Sequence, residues 1–208
     1  KDEKIAGGFC GTFDGCGYTI SNLSVASNAT AGVFNNEGLF KTIGINGVVK
    51  NLGMINPSVK PDSGYAGAIC GTNYGSIENC YNLGGEISVA SMYGGGIVGD
   101  NQGAIRECYN TGSVTSQNGS SIGGIAGCTH NGGMIIDCYN TGAITGAWYV
   151  GGICGQLNVG TITNCYGTGT ATATYPGYAS TAHPIAGIRL NGATVENSYY
   201  TNDRENND

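Results

Sequence analysis

The stretch Gly94 to Val114, GGGIVGDNQGAIRECYNTGSV, decides the fold, because the same phrase returns along the chain. Upstream it is GAICGTNYGSIENCYNLGGEI, Gly67 to Ile87. Downstream it covers Gly123 to Ile144 and Gly151 to Ala171, with GGIAG or GGICG in front and CYN or CYG behind. Self-similarity at a fixed period of roughly 20–50 residues is the mark of a repeat architecture.

Aligned on the cysteine of CYN, equivalent positions read Leu23, Leu52, Cys80, Cys108, Cys138, Cys165 and Ser198, at steps of 29, 28, 28, 30, 27 and 33 residues. Three residues earlier stand Ile20, Val49, Ile77, Ile105, Ile135, Ile162 and Val195. Further upstream come Phe9 or Phe13, Phe40, Ile69, Ile97, Ile125, Ile153 and Ile185. Helical repeats need long runs of helix formers, whereas Gly, Thr, Asn and β-branched residues dominate here. Three apolar columns per turn, separated by Gly and Asn corners, predict an all-β fold. It is a parallel, right-handed β-helix or solenoid of about seven turns with roughly 28 residues per turn and three strands in each.

The corners carry their own signals. The position before the cysteine reads Asn22, Asn51, Asn79, Glu107, Asp137, Asn164 and Asn197. Asn is the non-glycine residue that best tolerates left-handed backbone, and stacked amides can hydrogen-bond along a column. A second such row is expected through Asn82, Asn110 and Asn140. Glycines 71, 99, 127 and 155 keep the 28-residue step and read as corners with positive φ.

Composition narrows the classes. Charged residues are 11% of the chain against ~25% in an average soluble protein, and the 39 glycines show no collagen period. A net charge of −6 with eight scattered Lys and Arg argues against a nucleic-acid partner. No apolar run approaches the ~20 residues of a membrane span, so no membrane insertion is expected. The opening Lys1-Asp2-Glu3-Lys4 is not a signal peptide, which suggests a piece trimmed from a longer chain. Nine cysteines leave at least one thiol unpaired. Because Leu23 and Leu52 share the column of Cys80, Cys108, Cys138 and Cys165, these cysteines read as small buried apolar groups. Cys70 and Cys154 lie too many rungs apart to bridge, and Cys10 with Cys16 is the one local pair that could.

GGIVGDNQGAIRECYNTGSV, GGIAG with CYNTGAI, and GGICG with CYGTG resemble the GLUG-motif repeats of bacterial secreted and surface proteins. The opening FCGTFDGCGYTISNL and the later GLFKTIGINGVVKNLGM resemble the lead-in turns before such repeats. The resemblance spans about residues 7 to 200. It implies an extracellular β-helical module of large, adhesin-like surface proteins, also found outside the catalytic part of some immunoglobulin A peptidases. The family has no catalytic motif to transfer. Ser198 in place of Cys and Gly167 in place of Asn depart from the pattern. On this basis residues 1–208 form a single solenoid domain: atypical N-terminal turns over 1–56, GLUG-like repeats over 57–169, an atypical last turn over 170–200 and a polar tail over 201–208.

Chemistry is sparse. Glu107 and Asp137 share a column on adjacent turns, at a spacing that would suit a retaining glycosidase or a calcium ion. The plainer reading is that both replace a corner Asn, while Glu78 and Arg106 form a weak cross-rung ion pair. His130 and His183 read as solvated histidines in insertions. No catalytic, cofactor-binding or metal-ligating set is assigned. The candidate ligand contacts are aromatic: Tyr81, Tyr109, Tyr139 and Tyr166, which follow the cysteine column and face outward with Tyr199, and Trp148 and Tyr149, placed in variable loops with Tyr93, Tyr175 and Tyr178. The expected function is a non-catalytic extracellular or cell-surface module recognising carbohydrate or a host protein. The alternatives are a carbohydrate-active β-helix enzyme and an ice- or surface-binding face on Thr111, Thr141 and Thr168 with Thr115, Thr145 and Thr172.

Overall fold

The computed structural model describes residues 8–27, 35–175 and 181–201. Its strands form five parallel sheets and, among the described residues, there is no helix. One turn shows the plan: Cys70–Asn73, Ser76–Glu78, Tyr81–Leu83, Glu86–Val89 and Tyr93–Gly95 follow one another round the coil, and Val98–Asn101 opens the next turn directly over Cys70–Asn73. We number the sides of the coil one to five in that order. The second and third sides carry seven strands each, the first and fourth six, and the fifth four, so about five turns are complete.

The parallel solenoid and its period are as the repeat implies, but each turn has five strands where three apolar columns were expected. The additional sides are lined by Val59, Ile87, Val114 and Ile144 on the fourth and by Ile122 and Val150 on the fifth, all buried. Their apolar positions alternate with Gly, Ser and Thr, which hid them beside the stronger Ile and Cys columns. Ile77, Ile105, Ile135 and Ile162 stack in register on the second side with no exposed surface. Each such burial is worth about 1.5–3 kcal/mol.

Strand register corrects the expected alignment at the N-terminal end. Phe13, not Ile20, lies opposite Val49, so the first turn is longer than the expected step, and its two pairings differ by the two residues added at the turn of Cys16 and Gly17. Ile20 lies instead opposite Met54, in the column that continues as Asn82, Asn110 and Asn140. Phe40 pairs with Cys70 and not with Ile69, one residue off the expected column. Phe40 packs on Phe9 at 4.9 Å and Phe13 at 5.6 Å, an aromatic cluster that fills the first turns.

The left-handed corner before the cysteine column is present in every turn that has it. Asn51, Asn79, Glu107, Asp137, Asn164 and Asn197 have φ of 54, 49, 52, 54, 54 and 46°. Asn22 is left-handed too, at 58°, but in register it belongs to the next corner, with Asn56. The corner side chains hydrogen-bond between turns: Asn79 Nδ2 donates to Asn51 Oδ1 at 2.9 Å, and Asn164 Nδ2 donates to Asp137 Oδ1 at 2.9 Å. Glycines 71, 99, 127 and 155 are not positive-φ corners. They lie where the first and fifth sides close on each other: a Cβ on Gly99 would stand 2.6 Å from Ala66 N and 2.7 Å from Tyr65 Cβ. Close approach of backbones, not handedness, excludes a side chain there.

The cysteine column is buried as expected, Cys80, Cys108, Cys138 and Cys165 being at most 1% exposed, and all nine cysteines are free thiols, Cys10 and Cys16 included. Packing is only part of their role. The Cys80 N–H donates to Cys108 Sγ and the Cys108 N–H to Cys138 Sγ, each at 3.4 Å, while the Cys165 N–H donates to the Ser198 hydroxyl at 3.1 Å. The bend leaves this N–H without a carbonyl overhead, and the sulfur supplies a weak acceptor. Ser198 therefore continues the column's chemistry.

Inside the third side runs a wholly buried amide ladder. Asn82 Nδ2 donates to Asn110 Oδ1 and Asn110 Nδ2 to Asn140 Oδ1, both at 2.8 Å, and Asn110 closes on the Gly112 backbone through its Oδ1 (3.1 Å) and Nδ2 (2.9 Å). In the preceding turn Gly84 has φ of 73° and sends its N–H to Thr111 Oγ1, so Asn82 Oδ1 has no partner and the ladder stops against Met54.

Two substitutions test these features. Asn110→Leu strands the Asn82 amide and both Gly112 backbone groups, and is expected to lower unfolding free energy by at least about 3 kcal/mol; an unfolding free energy within about 1 kcal/mol of the parent by chemical denaturation would refute the ladder's role. Glu107→Asn replaces a residue poorly suited to left-handed backbone and can join Asn79 in the corner ladder. It is expected to raise stability by about 1 kcal/mol, or ~2–4 °C in thermal midpoint.

Candidate functional site

The aromatic candidates separate into distinct places. Tyr81, Tyr109, Tyr139 and Tyr166 form a continuous outward stack on the third side, with ring centroids 4.8, 4.8 and 4.9 Å apart and planes within 5°. Each follows an inward cysteine by one residue, so alternation turns it to solvent, and the in-register pairs Tyr81 with Tyr109 and Tyr109 with Tyr139 set the ring spacing to the strand spacing. Burial, then the neighbouring phenols, hold Tyr109 above the usual phenol range, and burial, then Tyr166, does the same for Tyr139. Tyr199 is in register with Tyr166 but 70% exposed and outside the ring stack.

Trp148 and Tyr149 are not part of this ladder. Trp148 stacks on Tyr175 at 4.1 Å, at the corner between the fourth and fifth sides. Tyr149 and Tyr93 lie in strands of the fifth side, not in loops, and Tyr178 falls outside the described residues. Tyr93 stacks on Tyr65 at 4.9 Å, a pair legible in the sequence as one more 28-residue step.

The carboxylate candidates behave as corner residues. Glu107 and Asp137 are exposed and left-handed, and Asp137 accepts the Asn164 amide. Glu78 is in register with Arg106, but it accepts the Ser76 hydroxyl at 2.6 Å, and the expected ion pair is not formed. The threonine rows stack as expected, Thr115 over Thr145 over Thr172, across three rungs.

Both histidines depart from the expected loops. His183 ends the strand Thr181–His183, accepts the Ile185 N–H at Nδ1 and meets Tyr200 edge-on at 5.7 Å. His130 ends the strand Ala126–His130, and its Nε2 lies 2.8 Å from Asp100 Oδ1 on the adjacent turn. The Asp100 carboxylate holds His130 above the usual imidazole range, against the opposing effect of burial. Cys128 is in register with Asp100, two residues before His130. The carboxylate, thiol and imidazole ligand atoms lie within 4.8 Å of one another. Sequence reasoning missed this cluster because Asp100 and His130 lie on different turns, although Asp100 and Cys128 keep the 28-residue step.

If ring stacking stabilises the ladder, Tyr109→Ala, which removes two contacts, should cost about 1–3 kcal/mol, while Tyr199→Ala should change stability by less than ~0.5 kcal/mol. Chemical denaturation of the two variants checks the contrast.

Among the described residues no helix is long and apolar enough to cross a membrane. The family model of the GLUG motif matches residues 118–145. A segment of 71 residues is 41% identical to halomucin of Haloquadratum walsbyi, covering 34% of this chain and 1% of that protein. The crystal structure of a candidate immunoglobulin A1 protease from Bacteroides ovatus has the same fold, with a TM-score of 0.68 and 26% identity over 92% of this chain and 60% of that one. The chain thus spans a small fraction of halomucin and less than two thirds of the Bacteroides chain. Repeat, register and family model agree: the chain carries the GLUG motif, set in a parallel β-solenoid.

Proposed function

We propose that this chain is a non-catalytic structural module of a secreted or cell-surface protein, and that its outward tyrosine ladder binds carbohydrate. The observation that carries the reading is the unbroken stack of Tyr81, Tyr109, Tyr139 and Tyr166. It offers a strip of phenol edges and hydroxyl tips at one rung spacing, on a backbone fixed by pairing to the turns on either side. Aromatic groups with polar tips suit the mixed apolar and hydroxyl surface of a sugar, and a rigid platform loses little entropy on binding. Halomucin and the Bacteroides chain support a surface or secreted setting by likeness.

The second reading, a carbohydrate-active enzyme, draws on Glu107 and Asp137 at adjacent corners. Both are exposed and committed to left-handed backbone. A glycan array, followed by a hydrolysis screen on any polysaccharide bound, separates the two. Binding without turnover that weakens at least tenfold in Tyr109→Ala/Tyr139→Ala supports the ladder. Hydrolysis abolished by Glu107→Gln would establish the enzyme instead.

A further inference from the structure

We propose that Asp100, Cys128 and His130 form a binding site for a zinc-class divalent transition ion, independent of the tyrosine ladder. The three residues come from adjacent turns of the first side. Asp100 lies in the strand Val98–Asn101, and Cys128 and His130 alternate onto one face of Ala126–His130 in the next turn. Their ligand atoms all lie within 4.8 Å of one another, and a tetrahedron with bonds of ~2.0–2.3 Å has edges of roughly 3.3–3.7 Å, so the Asp100–His130 pair at 2.8 Å would open by about 0.5 Å while the Cys128 sulfur closes by about 1 Å.

The donor set selects the ion. One thiolate, one imidazole and one carboxylate suit zinc or cobalt, whereas calcium and magnesium require mostly oxygen. The immediate surroundings also match a metal site. Gln102 Nε2 donates to Asp100 Oδ2 at 3.1 Å, which leaves Oδ1 turned to His130, and Asn131 Nδ2 holds Gln102 Oε1 at 2.8 Å. Such outer hydrogen bonds orient ligands toward an ion. Asp100 and Cys128 are 3% and 2% exposed, while the His130 side chain is 26% exposed and marks the entry path. Binding replaces the proton shared between Asp100 and His130 and releases the Cys128 thiol proton to solvent. Three protein ligands leave the fourth position to water.

Cobalt(II) titration of the whole chain tests the site. One equivalent should produce the absorption bands of a tetrahedral ion and a sulfur-to-cobalt charge-transfer band, all displaced by zinc. Cys10→Ser/Cys16→Ser, which removes the exposed thiols, should keep them. Cys128→Ser should lose the charge-transfer band, and His130→Gln and Asp100→Asn should weaken binding at least tenfold. Because Cys128 is buried, His130→Gln at the partly exposed ligand, checked for folding by circular dichroism, is the decisive variant. No stoichiometric band, bands lost with Cys10 and Cys16, or unchanged affinity in His130→Gln would each overturn the assignment.

Discussion

Every feature of this molecule depends on parallel backbone pairing between a residue and its equivalent one turn on. The pairing admits no slip: a shift of one residue would turn the Ile77, Ile105 and Ile135 column to solvent and the tyrosines inward. With register held, each position becomes a column, and the choice of residue is made for the column. Ile fills the interior, Asn takes the left-handed corner, and Gly stands where two sides touch.

The same constraint explains why so much polar chemistry is tolerated inside. A lone buried asparagine would be costly, but Asn82, Asn110 and Asn140 satisfy one another because each copy places its amide where the next one needs it. The cysteine column follows a similar logic with a weaker acceptor, the bend N–H groups of Cys80 and Cys108 each meeting a sulfur from the adjoining turn. Where a turn departs from the repeat, as Gly84 does, the mismatch appears at once as the unpaired oxygen of Asn82.

On the outside, columns make function a matter of contrast. Repetition produces ladders such as Tyr81 to Tyr166, regular surfaces suited to a repetitive ligand. Departure from repetition produces local sites. Asp100, Cys128 and His130 exist because neighbouring turns carry different residues at equivalent positions, with Thr72 and Gln156 flanking the acid and the thiol in the same column.

The period, parallel pairing, buried cysteine column, left-handed Asn corner and outward tyrosines were legible in the one-dimensional string, because each is a property repeated at a constant step. The five-sided cross-section was not, since bends rest on φ and ψ at Ser, Thr and Gly positions that many conformations share. Register in the first turn was equally hidden: that turn is longer than the repeat and carries a two-residue addition at Cys16 and Gly17, and only backbone pairing shows which of its residues meet the second turn. The tertiary structure alone brought His130 to Asp100, because contact between turns depends on which residues come to share a face and a height, and spacing along the chain does not encode that for residues outside the repeat.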